Sequence, residues 1–240
     1  MLNTILNKIS DKFSSLKKLI QTLPPIHIDG IKFGIIAALF FLLLSTLWEG
    51  FALVGLLVLG AILAFFRNPA RVAPKAPAAI LAPADGLICA IEKVPPIPEL
   101  KTSETRATRI TIFLSVFDVH INRSAITGKV TATERHGGGY LNAADPGAQD
   151  NARNHIVIER SDGVHVGIAQ IVGFIARRIV CTIAPTAQVQ AAQEIGLIRF
   201  GSRVDVYLPP RSRLNVLVGQ RAIGGETVLA TCPIKRKKAS

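Results

Sequence analysis

The chain has 240 residues, 49% of them hydrophobic, and carries 28 Lys and Arg against 16 Asp and Glu, a formal net charge of +12. That length suits one sizeable domain plus an appendage, since domains run to about 100–200 residues, and the positive excess favours a polyanionic partner, either nucleic acid or an anionic lipid surface. With two Tyr and one Trp there are too few aromatic rings to interleave with the basic residues, so no nucleic-acid partner is expected. Cys89, Cys181 and Cys232 are far apart and form no CxxC pair, which argues against a disulfide framework and a zinc site. No metal is expected, and a reducing, cytoplasm-facing location fits.

Residues 1–25 form the first segment. Leu2, Ile5, Ile9, Phe13, Leu16 and Ile20 recur at spacings of three or four, one apolar helical stripe flanked by Lys8, Lys12, Lys17 and Lys18. The pattern fits a helix lying on an anionic membrane surface, the alternative being a helix packed on a soluble domain. Pro24 and Pro25 end it. Residues 31–66 form the second segment, apolar from 34 onward and broken only by Trp48, Glu49 and Gly50. Its halves, 34–48 and 51–66, would each be roughly 22–24 Å long as helices, against a hydrocarbon core of about 30 Å. A single bent span would be too long and would bury Glu49. A membrane-inserted helical hairpin with Trp48, Glu49 and Gly50 at its tip is expected instead. Lys17, Lys18 and Lys32 before it, and Arg67, Arg71 and Lys75 after it, place both flanks on the cytoplasmic side.

Residues 67–240 form the third segment, which opens on a proline- and alanine-rich stretch over 68–83. From residue 80 short apolar runs alternate with glycine, proline and charged turns, the pattern of a β domain. Strands are expected over 87–92, 109–115, 128–134, 155–160, 164–171, 177–182, 204–208 and 214–217, with one short helix around 186–194. There is no βαβ alternation, which excludes a Rossmann-like parallel sheet. Gly137, Gly138 and Gly139 are followed by neither a helix nor GK[ST], so a phosphate loop is not expected. The fold class is mainly β (α+β): a sandwich or barrel-sandwich domain with an N-terminal helical membrane anchor.

Polar groups crowd at a few places. Asp85 lies in PADG, an Asp-Gly step that by itself is a turn. The apolar run FLSVF leads into Asp118, His120, Asn122 and Arg123; a lone histidine is more often structural than catalytic, but four polar groups crowded at the end of an apolar strand are less ordinary. Residues 142–155 form a polar loop. Arg177 and Arg178 either meet a phosphate or carboxylate or lie on a solvated edge strand. In RFGSRVDVYLP, Val204, Val206 and Leu208 alternate with Arg203, Asp205 and Tyr207, a half-buried strand entered through Gly201-Ser202. That step is either a turn or a peptide carbonyl left open to the next side chain.

Taken together and in order, PADG, FLSVFDVHINR, NARNHIVIE, GFIARRIVC and above all RFGSRVDVYLP resemble the phosphatidylserine decarboxylase proenzymes, closest to their short, archaeal-like bacterial branch, over most of residues 67–232. The resemblance implies self-cleavage between Gly201 and Ser202 into a β chain (1–201) and an α chain (202–240), with Ser202 becoming a covalent pyruvoyl group. That group would form a Schiff base with phosphatidylserine, and CO2 and phosphatidylethanolamine would follow. It implies Asp85 as the acid of an Asp-His-Ser processing triad and His120 as the acid/base histidine. The long bacterial forms carry a second histidine three residues on, where this chain has Arg123. Hence either His120 serves both processing and decarboxylation, or the processing base lies elsewhere, with His136 and His155 the candidates. Asp118 either orients His120 or caps a turn. Asp118, Arg123 and Arg177 are the substrate-binding candidates, the two arginines for the lipid phosphate. Ala152 stands where an acidic residue is expected. The implied setting is the inner membrane of a bacterium, catalytic domain on the cytoplasmic side, with phosphatidylserine and an anionic membrane surface as partners and a homodimer as the assembly. The basic tail, Lys235 to Lys238, either assists on that surface or is a solubilising end. The alternative reading is a non-enzymatic, membrane-tethered barrel-sandwich module that has lost processing.

Overall fold

The computed structural model describes residues 24–143, 145–174, 178–199 and 201–234. The amphipathic segment over 1–23, Arg177 and the basic tail lie outside the described residues. The chain divides into two compact units, Met1–Ala70 and Arg71–Ser240.

The first unit contains two apolar helices, α1 (Ile28–Ser45) and α2 (Gly50–Phe65). The His27 imidazole caps α1 by accepting from the Asp29 N–H at 3.2 Å. The first helix is longer than expected, since Asp29, Lys32 and Phe33 belong to it. The turn between the helices falls at Leu47 to Glu49, close to the expected tip. The hairpin closes at its base through His27 N–H donating to Phe66 O at 2.9 Å and Asn68 N–H donating to Pro25 O at 2.7 Å. Gly55 lets the helices approach: a Cβ there would lie 2.4 Å from the Phe41 Cβ. Leu42, Leu43, Leu56 and Leu57 stay exposed. Helix α1, at 18 residues, is long and apolar enough to cross a membrane, and α2 is a shorter apolar helix. An outward-facing leucine surface of this kind is stable in lipid rather than in water.

The second unit is mainly β. Its strands are β1 (Ala79–Leu81), β2 (Gly86–Val94), β3 (Ala107–Leu114), β4 (Ile121–Arg123), β5 (Gly128–His136), β6 (Arg153–Glu159), β7 (His165–Val172), β8 (Ile179–Cys181), β9 (Gln188–Val189), β10 (Glu194–Ile198), β11 (Ser202–Leu208), β12 (Arg213–Leu214), β13 (Arg221–Ala222) and β14 (Val228–Thr231). A curled eight-stranded sheet runs β13-β2-β3-β11-β7-β6-β5-β9, and two three-stranded sheets run β1-β14-β12 and β4-β10-β8. The strand pairings are antiparallel, with bulges at Ile88/Ala90 and Val130/Ala132 that help the large sheet bend. The main core lies between one face of the large sheet (Ile88, Ile112, Val204, Val206, Ile168, Ile156) and the small sheets (Ile80, Ile195, Ile198, Leu229). This is the expected two-layer β architecture.

Two expectations change. The segment 186–194 holds no helix. It forms β9 between turns, and Thr186 (φ 74°) and Ala192 (φ 65°) adopt left-handed backbone that a right-handed helix cannot include. The strand expected over 214–217 shrinks to β12, because Val216 and its neighbours turn toward β13. Strand β11 also differs from a half-buried strand. Every residue in it is buried, because the loop over 95–106 covers the second face of the sheet, where Ile97 and Leu100 pack with Tyr207, Ala169 and Val157. The polar residues on that face pair with one another. Arg203 donates to both oxygens of Asp205 at 2.7 and 2.8 Å, and Arg109 donates to Glu92 at 2.7 Å with its Nε 3.8 Å from Asp205. Paired in this way, the buried charges avoid most of the desolvation cost of lone ones.

Candidate active site around Ser202

Strand β11 is central in the large sheet, and Ser202 is its first residue, level with Leu114 at the end of β3 and Val172 at the end of β7. Ser202 thus stands where both neighbouring strands leave the sheet. Its side chain shares the face of Val204, Gln170 and Asn154, since paired residues and every second residue along a strand point the same way. Ser202 is fully buried, and its Oγ has no hydrogen-bond partner among the described residues. A buried hydroxyl with no partner is uncommon and calls for an explanation.

Gly201 precedes it with φ 63°, the left-handed region that favours glycine. A Cβ added at Gly173 would lie only 2.5 Å from the Gly201 carbonyl oxygen, so a residue without a side chain leaves room for that oxygen. Sequence reasoning missed Gly173; the signal was a glycine immediately after an apolar strand, in GFIARRIVC. His120 lies against the same bond. Its Nε2 accepts from Gly201 N–H at 3.2 Å, and its Nδ1 lies 2.9 Å from the Asp118 carbonyl oxygen, an N–H donor arrangement that leaves Nε2 unprotonated and basic. His120 is buried, and so are Asn122, Gln170 and Asn154, which form a hydrogen-bonded chain. Gln170 Nε2 donates to Asn122 Oδ1 at 2.8 Å, and Asn154 Nδ2 donates to Gln170 Oε1 at 2.9 Å. This network fixes the His120 segment against β7. Asn151 adds a second fixture, donating from Nδ2 to the Leu141 and Val172 carbonyls at 2.8 Å each.

The other sequence-derived residues are placed as follows. The Asp118 carboxylate caps its own turn, accepting from Ser115 N–H at 2.8 Å and Ser115 Oγ at 2.7 Å, and it also accepts from Arg221. It is the backbone carbonyl of Asp118, not the carboxylate, that meets His120. Asp85 binds Arg71 through both oxygens at 2.9 and 2.8 Å, and its Oδ1 accepts from Gly224 N–H at 2.7 Å. Its hydrogen bonds therefore go to Arg71 and Gly224 rather than to His120. Arg123 belongs to this second group. Its backbone N–H donates to Pro83 O at 2.7 Å and its guanidinium to Ala192 O at 3.0 Å. Burial first, and then the like charge of Arg71, push its guanidinium below the ordinary arginine range. Arg221 and Gly224 were not singled out from sequence, and Arg71 only as one of the cations flanking the hairpin.

His136 and His155 lie on the opposite face of the sheet from Ser202. His155 is level with Ala169 and Asp205, an odd number of residues from Ser202 along β11. Both histidines bind Glu99 from the covering loop, His136 Nε2 at 2.7 Å and His155 Nδ1 at 2.9 Å. The three donor atoms lie within 4.8 Å of one another, a spacing that a cation could bridge, but here they satisfy one another. Burial lowers the His155 pKa. For Glu99, burial pushes upward, but a backbone N–H and the His155 N–H outweigh it and hold the carboxyl below its ordinary value. A cleft of about 630 Å³ lined by Lys93, Arg106, Pro209 and Arg211 lies at the far end of β11 from Ser202.

The site thus sets a buried hydroxyl beside a half-buried glycine whose N–H meets an unprotonated imidazole nitrogen. Comparison with known proteins identifies the class. The family profile described as phosphatidylserine decarboxylase matches residues 59–230. A phosphatidylserine decarboxylase proenzyme of Novosphingobium aromaticivorans is 48% identical over 219 residues, covering 86% of both chains. Proenzymes of the same name from Saccharopolyspora erythraea (44% identity, 88% of this chain and 89% of the relative) and a Mycobacterium species (44% identity, 93% and 94%) match as closely in length. The protein is therefore a decarboxylase, made as a proenzyme. The chain belongs to the phosphatidylserine decarboxylase family. A module without catalytic activity is not the reading this membership supports.

Proposed function

We propose that the chain cleaves itself between Gly201 and Ser202 and then decarboxylates phosphatidylserine to phosphatidylethanolamine at a membrane surface. The observation that carries this reading is the buried, unpartnered Ser202 Oγ next to Gly201, whose N–H is held by His120 Nε2. Ser202 Oγ attacks the Gly201 carbonyl, the peptide C–N bond breaks, and an ester and a new amine replace it. The left-handed turn at Gly201 and the glycine opposite at residue 173 leave space for the tetrahedral carbon. In this reading His120 Nε2 lets go of the Gly201 N–H and takes first the Ser202 hydroxyl proton and then the Ser202 Cα proton. Elimination of the Gly201 carboxylate across Cα–Cβ leaves dehydroalanine at residue 202, and hydrolysis releases ammonia and leaves a ketone. The ladder of β11 on β3 and β7 holds the new terminus in place, so the break frees no strand.

The resulting pyruvoyl group supplies an electron sink for the electrons that the departing CO2 leaves behind. The residues present fit such a group, since the position it would occupy is buried and shares its face of the sheet with the hydrogen-bonded amides of Gln170 and Asn154. His120 serves both stages in this reading, the second as proton donor to the carbanion carbon. Asp85 acts as a positioning residue, holding Arg71 and the Gly224 backbone together near Arg123. The hairpin keeps the enzyme in the inner membrane with its catalytic unit on the cytoplasmic side, where the lipid headgroup is presented. The test is the denaturing gel of the purified chain with decarboxylation of phosphatidylserine measured in parallel. Two fragments and released CO2 are expected from the native chain, and one intact, inactive chain from Ser202→Ala. Activity in Ser202→Ala would overturn the reading.

A further inference from the structure

We infer that the end of the sheet bearing Ser202 is itself a bilayer-docking rim of the catalytic unit, additional to the apolar helices. The inference rests on the proposed function, since it gives the site a lipid to meet. The two strands flanking Ser202 run out of the sheet at its level into exposed apolar side chains. After Leu114 come Val116 and Phe117, the latter 83% exposed, and after Val172 comes Phe174, 69% exposed. At the β13 edge of the sheet, level with Ile88 and Val204 rather than at the rim itself, a turn presents Leu217 and Val218, 70% and 57% exposed. That turn is held to β2 by Gly219 N–H donating to Ile88 O at 2.8 Å, and Arg221 ties it to the Phe117 turn through Asp118.

An apolar patch on a soluble face marks a contact with another apolar phase. Charge selects which one. Arg221 is exposed at the same end, and so is Arg178, whose carbonyl accepts from Arg199 N–H at 3.2 Å two residues before Gly201. Protruding rings set among arginines match a bilayer with anionic headgroups, the rings entering the acyl boundary and the guanidinium groups meeting phosphates. Among the described residues, the cleft at the opposite end of the sheet is lined by no aromatic ring and carries Lys93, Lys101, Glu104 and Arg106 instead. Docked by the rim, the enzyme would reach a headgroup that never leaves the membrane.

The test uses the full chain in vesicles containing phospholipid brominated high on the acyl chains. Trp48 is the chain's only tryptophan, so Phe117→Trp and Glu104→Trp are each made in a Trp48→Phe background. Bromine should quench the indole introduced at 117, more strongly with anionic lipid present, and leave the one at 104 unquenched. Equal quenching or none at 117 would overturn the inference. A second arm compares Phe117→Ser/Phe174→Ser with the native chain on bilayer phosphatidylserine and on a short-chain, monomeric phosphatidylserine. Docking predicts a loss on bilayers larger by about tenfold per ring than on monomers, and equal losses would contradict it. The quenching arm reads no catalysis, so failure of self-cleavage or decarboxylation would count against the proposed function and not against the rim.

Discussion

At the scale of single residues, the proposed self-cleavage depends on one imidazole and two glycines. His120→Gln removes the unprotonated Nε2 from Gly201, and self-cleavage should slow by at least about 10²-fold, the usual contribution of a positioned acid or base. Time courses of fragment appearance check this, and native-like cleavage would exclude His120 as the processing base. Gly173→Ala puts a methyl 2.5 Å from the Gly201 oxygen. Cleavage should slow, and stability should fall by about 1–3 kcal/mol, the usual effect of overpacking. Asp85→Asn breaks the two-oxygen contact with Arg71, so its main expected effect is a lowered melting temperature, with slower cleavage following from the loosened segment. If Asp85→Asn instead stops cleavage with no loss of stability, Asp85 acts on the proton directly. At this scale the sequence drew attention to Gly201, Ser202 and His120 through the resemblance of their motifs, and the structure brings His120 against Gly201. The sequence was opaque for Arg71, Gly173 and Gly224, whose roles come from residues 14 to 139 positions away.

At the scale of elements, the covering loop and the sheet it covers share one clasp, Glu99 with His136 and His155. Burial depresses the His155 pKa below the ordinary value of 6.5, so the unfolded chain takes up the proton first as pH falls through that range, and stability falls with it. Glu99, held below its ordinary 4.5, adds a further loss at lower pH, as the clasp carboxylate is protonated. The melting temperature should therefore decline from pH 7.5 to 5.5 and more steeply below 4.5. The first decline should shrink in His155→Asn, and a flat profile in the native chain would contradict the clasp. None of this was readable in the sequence, where β11 looked half exposed. The alternation of Arg203, Asp205 and Tyr207 with valines is the pattern of a solvated face, and only the loop over 95–106 together with Arg109 turns it into a buried ionic layer. The 186–194 segment misled for a related reason: its alanines and glutamines favour helix, but pairing of β9 with β5 and β10 with β4 and β8 outweighs so weak a preference.

At the scale of the molecule, the proposed function has the apolar hairpin hold the membrane while the β unit does the chemistry. The separation of apolar helices from a β unit was legible in composition, since an apolar run with no charge over 34–48 stands apart from the mixed pattern after residue 80. Because that attachment is apolar, the full chain should stay with membranes after high-salt and alkaline carbonate washes, and release by salt alone would contradict it. The order of the small sheets and the curl of the large one were not legible, because strands as short as β4, β12 and β13 leave almost no periodicity to read. The central claim is that residue 202 becomes a ketone at a new chain end. Intact-mass analysis of the small fragment after treatment with a hydrazide tests it most directly. A fragment beginning at residue 202 that carries a pyruvoyl mass and takes up one hydrazide is the predicted result. A fragment that begins with an unmodified serine and takes up none, or a chain that never cleaves, would contradict it.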